Sequence, residues 1–203
     1  MAESIRLPLV LASASPFRRR MLEQAGLAFE VAAADVDEGA IKHALLRAGS
    51  KPAAIAQALA VAKAEAVSAR RPEALTIGAD QVLSLGGELL NKPASLAEAR
   101  GQLLRLRGKS HHLLTAAALA TGGKAVWQHV EGASLQMRAF SDACLATYLR
   151  RMGDRVLATV GAYEIEGLGA QLFERIEGDT FTIIGLPLLP LLAELRSRGA
   201  IEA

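Results

Sequence analysis

Two short segments carry residue types that could handle a phosphorylated substrate. The first is Ser13-Ala14-Ser15-Pro16-Phe17-Arg18-Arg19, directly after the apolar run Leu9 to Ala12. The apolar run reads as a buried strand. Ser15 is a good N-cap, and Pro16 suits the first helical position, where a missing N–H costs nothing. A strand therefore turns into a helix whose unpaired N–H groups and dipole favour an anion, with arginines on its first turn. The chemistry this points to is phosphate binding. A capped surface helix with solvated arginines is the plainer alternative, and a second segment of complementary character weighs against it.

That second segment is Ile77-Gly78-Ala79-Asp80-Gln81-Val82, followed by Asn91-Lys92-Pro93. Leu75 to Leu85 is strand-like, and Asp80 interrupts its apolar character. A carboxylate in the middle of a buried strand is costly unless it is paired or binds a metal. Glu38, in the loop Asp35 to Gly39 after a strand at Phe29 to Ala32, supplies a further carboxylate. Carboxylates opposite a phosphate cradle suit Mg²⁺ or Mn²⁺ chemistry on a nucleotide, because the ion bridges two sets of oxygens. A structural ion pair would satisfy Asp80 as well.

The elements that must hold these residues alternate between strand and helix, which predicts an α/β arrangement. Ile55, Leu59 and Ala62 give helical spacing from about Pro52 to Arg70, with Lys51-Pro52 at the start and Arg70-Arg71-Pro72 at the end. Ser95-Leu96-Ala97-Glu98 is a capping box that opens a helix to about Arg107, stopped by Gly108. Two strand-like runs, His112 to Ala120 and Ala125 to Met137, are joined by Thr121-Gly122-Gly123-Lys124, a hairpin signal. A helix from Ser141 to Met152 and a last one from Pro187 to Arg198 complete the pattern.

Composition excludes several classes. At 203 residues the chain is long enough for a real core, and with 51% hydrophobic but only 4% aromatic residues that core must be mainly Leu, Ala, Val and Ile. A formal charge of +2 is too small to predict a nucleic-acid partner. The single cysteine, Cys144, rules out an internal disulfide and reads as a small apolar core residue. Met1 to Arg6 does not open an export leader, and the apolar stretch Ile183 to Ala193 is too short to span a bilayer. The expectation is a cytoplasmic protein with no membrane partner.

Some motifs fail on spacing. Leu106-Arg107-Gly108-Lys109-Ser110 ends like a P-loop, but Leu103 stands where the first glycine is required. His111 and His112 are strand neighbours that face opposite ways and cannot easily chelate one ion. Gly167-Leu168-Gly169 lacks the third glycine of a dinucleotide fingerprint.

Taken together, Ser13-Ala14-Ser15-Pro16 with Arg18-Arg19, Val36-Asp37-Glu38, Ile77-Gly78-Ala79-Asp80, Lys92-Pro93 and Gly185-Leu186-Pro187-Leu188 resemble the Maf-type nucleoside triphosphate pyrophosphatases. The motifs stand in the family's order from about Leu7 to Gly199. The resemblance implies one Maf-type domain over residues 1–203. It implies the fold of the inosine triphosphatase-type enzymes: an elongated mixed β-sheet flanked by helices, in two lobes with a central cleft. The implied reaction cleaves a nucleoside triphosphate between its α and β phosphates, giving a monophosphate and pyrophosphate.

Roles carry over by position. Asp80 matches the proton acceptor; Ser13, Ser15, Arg18 and Arg19 match the phosphate-binding segment; Lys63 and Lys92 match basic residues facing the cleft. Glu38, with Asp80, matches the carboxylates that hold a divalent metal, Mg²⁺ or Mn²⁺. In the implied mechanism the cation neutralises the phosphates while Asp80 orients or deprotonates the attacking water. Phe17, Gln81 and Glu166 match three positions that tune base choice. The branch similar to this chain acts on 7-methyl-GTP and carries an aromatic residue, Gln and Glu, whereas the thymidine and uridine triphosphate branch carries Arg, Thr and Gln. Val160 stands where that second branch has a Lys. N7-methylguanine is cationic, so an aromatic face offers cation–π attraction, and Glu166 can accept from the base's donor edge. A pyrimidine-preferring or broad pyrophosphatase, and a nucleotide-binding regulator of cell division and septum formation, are the other readings. A homodimer stays open.

Overall fold

The computed structural model describes residues 7–202. The expectation set on Met1–Arg6 lies outside them.

Strand and helix alternate as the periodicity predicts. The order is β1 (Leu9–Leu11), α1 (Pro16–Gln24), β2 (Glu30–Val31), α2 (Glu38–Arg47), α3 (Pro52–Ser68), β3 (Leu75–Leu85), β4 (Glu88–Leu90), α4 (Leu96–Leu106), β5 (Ser110–Thr121), β6 (Lys124–Met137), α5 (Asp142–Met152), β7 (Phe173–Glu177), α6 (Thr180–Ile184) and α7 (Leu188–Ser197). Three 3₁₀ turns at Gly153–Leu157, Val160–Ala162 and Leu168–Leu172 lie between α5 and β7. The seven strands form one mixed sheet in the order β2-β1-β3-β5-β6-β7, with β4 paired to β3. β1 runs parallel to β2 and β3, while β3/β4 and β6/β7 are antiparallel.

The chain divides into two compact units, one of residues 7–81, 115–131 and 185–202 and the other of residues 82–114 and 132–184. In the first, Val10, Ala12, Val67 and Ala74 form a small apolar cluster between β1 and the end of α3. In the second, Leu103, Leu106, Leu135, Met137, Leu145 and Tyr148 belong to one larger core. Cys144 is half-buried against that core, in keeping with a small apolar role.

Local chemistry sets the element ends. Ser15, Ser95 and Ser141 each accept from a backbone N–H in the first turn of α1, α4 and α5. One element departs from expectation. Asp35 to Gly39 reads as a loop, yet Asp37 caps α2 by accepting from the Ala40 N–H at 2.8 Å, so Glu38 is the first residue of a helix. α2 buries no residue, so its apolar periodicity is weak and gives little signal in the sequence. Among the described residues no helix is long and apolar enough to cross a membrane.

Candidate active site

The first unit concentrates charge around Asp80. β3 runs buried from Leu75 to Asp80, and Asp80 itself is only 8% exposed. Its Oδ1 accepts from Lys63 Nζ at 2.7 Å, and the same ammonium lies 2.9 Å from Glu38 Oε1. Lys63, at 9% exposure, thus joins a buried carboxylate to one that is half in solvent. Of the two ways of satisfying Asp80, the ion pair is the one present, and its partner is a lysine.

Gly78 is what allows that pairing. A Cβ there would stand 2.2 Å from the Ala60 carbonyl oxygen and 2.7 Å from the Ala64 amide nitrogen, so α3 lies directly on the β3 backbone. Lys63 is within the stretch of α3 that makes this approach. The close approach therefore brings its ammonium to a carboxylate two residues along the strand.

Arg18 turns inward from α1. Its Nε donates to the Gly185 carbonyl at 2.8 Å and Nη1 to Ser13 Oγ at 3.0 Å. Burial pulls the guanidinium below its ordinary range, against the opposing pull of the Asp80 and Glu38 charges. An arginine remains cationic under that influence. Arg18 therefore ties the start of α1 to the Gly185 turn and faces the carboxylate pair. Arg19 is exposed and pairs with Glu23 along the helix at 3.5 Å. The two arginines, equivalent in the sequence, are not equivalent in the fold.

Ser13 is buried and also accepts from the Ser15 amide at 3.3 Å. Phe17 is half-buried on the first turn of α1, and Gln81, half-buried beside Asp80, donates to Thr115 Oγ1 at 2.9 Å. Lys92 and Glu166 belong to the second unit, and both are exposed. Glu166 follows buried Tyr163 and Glu164 in a turn closed by Gly169, where a Cβ would stand 2.4 Å from the Glu164 carbonyl oxygen. Glu164 itself is ion-paired with Arg155.

The two histidines separate as expected. His111 is fully buried with Nε2 2.7 Å from the Tyr163 hydroxyl, and His112 is exposed. Sequence reasoning missed Thr115, the Gly185 carbonyl and the packing role of Gly78. Gly185 acts through a backbone carbonyl and Thr115 through a hydroxyl that nothing local pairs with Gln81; only Gly78, a glycine inside a strand, left a signal.

For a divalent cation, two carboxylates converge within reach of one positive centre, and hard oxygen donors suit Mg²⁺ or Mn²⁺. Among the described residues no group of three or more His, Cys, Asp or Glu could hold a metal ion. Asp80 and Glu38 are the carboxylates that could offer oxygens to such a cation, and in this structure both are paired with the Lys63 ammonium.

The sequence model of the Maf-like protein family matches residues 8–198. A relative from Rhizobium johnstonii, named 7-methyl-GTP pyrophosphatase, is 52% identical over 194 residues, covering 96% of this chain and 98% of its own. One from Paramagnetospirillum magneticum, named nucleoside triphosphate pyrophosphatase, is 51% identical over 192 residues, covering 95% of this chain and 99% of its own. A crystal structure of a nucleoside-triphosphatase / dITP/XTP pyrophosphatase from Mycobacterium abscessus spans 95% of each chain at 14% identity. Its TM-score of 0.40 is too low to define a shared fold. With its family pattern matched from residue 8 to residue 198 and relatives half identical along almost all of it, the chain belongs to the Maf-like protein family.

Proposed function

We propose that this protein is a nucleoside triphosphate pyrophosphatase that cleaves between the α and β phosphates and prefers 7-methyl-GTP. The observation that carries the reaction is Asp80. Its carboxylate is buried in a strand, bonded through Oδ1 to Lys63, and flanked by the Arg18 guanidinium. A carboxylate fixed in that way is a general base whose orientation is set before substrate arrives.

In this reading Asp80 takes a proton from the water that attacks the α-phosphorus, and pyrophosphate leaves. Lys63 holds Asp80 in line through the bond to Oδ1. Arg18 and the N–H groups opening α1 offer positive charge to the phosphate chain. Ser13 and Ser15 set the shape of that turn. Arg19 and Lys92, both exposed, supply further positive charge for the triphosphate. A divalent cation bound by Asp80 and Glu38 would neutralise phosphate charge. The same reading takes residues 1–203 as one domain working in the cytoplasm on a small-molecule nucleotide.

Base choice rests on Phe17, Gln81 and Glu166. The relatives named for 7-methyl-GTP support this preference. Glu166 is exposed, and among the described residues no ion pair or hydrogen bond occupies its carboxylate. It is free to accept from the N1–H and amino edge of guanine, and its negative charge favours the cationic N7-methylated base over the neutral one, so its loss costs 7-methyl-GTP more than GTP. The Phe17 ring offers a face to a cationic purine.

The test is pyrophosphate release from 7-methyl-GTP, GTP, dTTP, UTP and CTP, each supplied separately with Mg²⁺. The expected result is a preference for 7-methyl-GTP that Glu166→Gln lowers by about tenfold or more, the loss of one charge-assisted contact. A preference for dTTP or UTP would keep the reaction and overturn the base assignment. No release from any nucleotide would favour the regulator of cell division.

A further inference from the structure

Glu166 stands on a turn whose backbone has little freedom. Gly161 has φ 79° and Ala162 has φ 60°, so two consecutive residues occupy the left-handed region and one of them carries a side chain. Both are buried. Such a conformation persists only where the surroundings over-determine it.

Two tyrosines supply those surroundings. Tyr163 meets His111 Nε2 through its hydroxyl and packs edge-on to Phe173, ring centroids 4.8 Å apart. Tyr148 reaches in from α5 and donates its hydroxyl to the Ala162 carbonyl at 3.0 Å, with both groups buried. Burial, together with the nearby Glu164 charge, pushes the Tyr148 phenol above its ordinary range, so it stays a protonated donor. Beyond Ala162 the chain folds tightly on itself. The Gly167 N–H donates to the Glu164 carbonyl at 3.3 Å, and Gly169 packs on the Glu164 backbone. A shift at Ala162 is therefore passed to Glu166 rather than absorbed on the way.

We infer that Tyr148 is a positioning residue for base selection: its hydroxyl, by holding the Ala162 carbonyl, fixes the turn that sets where Glu166 meets the base. The inference rests on Glu166 reading the base. Tyr148 acts through residues 162–166 and touches no substrate itself. Its ring has a separate duty, as part of the second unit's core and of the wall it shares with Thr147, Leu168 and Leu172 around a cavity of about 310 Å³. Tyr148→Phe keeps the ring and that wall and removes only the hydroxyl.

The experiment measures kcat and KM for 7-methyl-GTP and for GTP in the wild type, Tyr148→Phe, Glu166→Gln and the double variant. Selectivity is the ratio of the two kcat/KM values. Tyr148→Phe is expected to lower that ratio about tenfold, the scale of one buried hydrogen bond. The loss should appear in KM for 7-methyl-GTP, with kcat for GTP within about twofold of wild type. In the Glu166→Gln background the same substitution should change the ratio no further, because the two residues act on one contact.

A ratio unchanged by Tyr148→Phe overturns the inference. So does an equal fall for both nucleotides, which is a purely structural effect, or a full additional factor in the double variant. If Glu166→Gln alone leaves the ratio intact, the base assignment above has failed and this inference falls with it. If Glu166→Gln collapses the ratio while Tyr148→Phe spares it, only the inference fails.

Discussion

Both units bury polar groups, and they satisfy them in opposite ways. In the first, Asp80 is buried as an ion. Its charge is met by Lys63, shared with Glu38, and opposed by Arg18. In the second, His111, Tyr163 and Tyr148 are buried as neutral groups, His111 bonded to the Tyr163 hydroxyl and Tyr148 to the Ala162 carbonyl. The ionic arrangement holds a buried carboxylate, through Lys63, next to a half-exposed one. The neutral one holds a turn in a conformation the backbone would not choose. In the proposed reaction charge serves chemistry in one unit, while neutrality serves shape in the other.

The sharpest way to break this contrast is to remove the charge and keep the shape. Asp80→Asn is isosteric and leaves Lys63 paired with Glu38, so the fold should stand. Turnover, measured as pyrophosphate release, should fall about a thousandfold, the middle of the range for losing a positioned base. Activity within a few-fold of wild type would place Asp80 in the frame rather than in the reaction.

Lys63→Met attacks the same cluster from the other side. It leaves Asp80 buried with Arg18 as a nearby cation. The expected loss is about 3 kcal/mol in urea unfolding with a chelator present, at the low end for a broken buried pair because Glu38 is half exposed. Added Mg²⁺ should recover part of that loss if the two carboxylates accept a divalent ion. A variant as stable as the wild type in chelator would show that the cluster is not held by its charges.

How far the sequence discloses each region follows from the same contrast. Strand β3, the Ser15-capped helix and the Ser95 and Ser141 caps are legible because capping and periodicity are local. Asp80 stands out as a charge in an apolar strand. Its lysine partner does not, because Lys63 lies 17 residues upstream on a helix whose contact with β3 depends on the missing side chain of Gly78. Arg18 and Arg19 look alike until the fold brings Gly185 to one of them, 167 residues away in sequence. The neutral array is harder still. Nothing local to His111 indicates Tyr163, and nothing local to Tyr148 indicates a left-handed alanine. The family resemblance names Glu166, but the turn that holds it is visible only in three dimensions.

The neutral region has its own weak point, with a smaller expected effect on stability than Lys63→Met. His111 is fully buried, and burial lowers its pKa from 6.5 to about 4, with the neighbouring His112 adding to the shift. In the unfolded chain the imidazole takes up a proton near pH 6.5, while in the folded protein it resists doing so until about pH 4. Between those values the unfolded state binds more protons, so stability rises with pH there. The His111 contribution is complete above about pH 6.5 and is lost as pH falls toward 4. The shift corresponds to about 2 kcal/mol between pH 7 and pH 4.5, after allowing for the incomplete titration at the lower value. His111→Phe cannot titrate. It forfeits the bond to Tyr163 and should be less stable than the wild type at pH 7. The gap between the two proteins should then narrow as the pH is lowered, which urea unfolding at pH 7, 6, 5 and 4.5 would show. Parallel stability curves would mean that His111 is protonated as readily inside the protein as outside it, and the second unit would no longer differ from the first in the way it buries its polar groups.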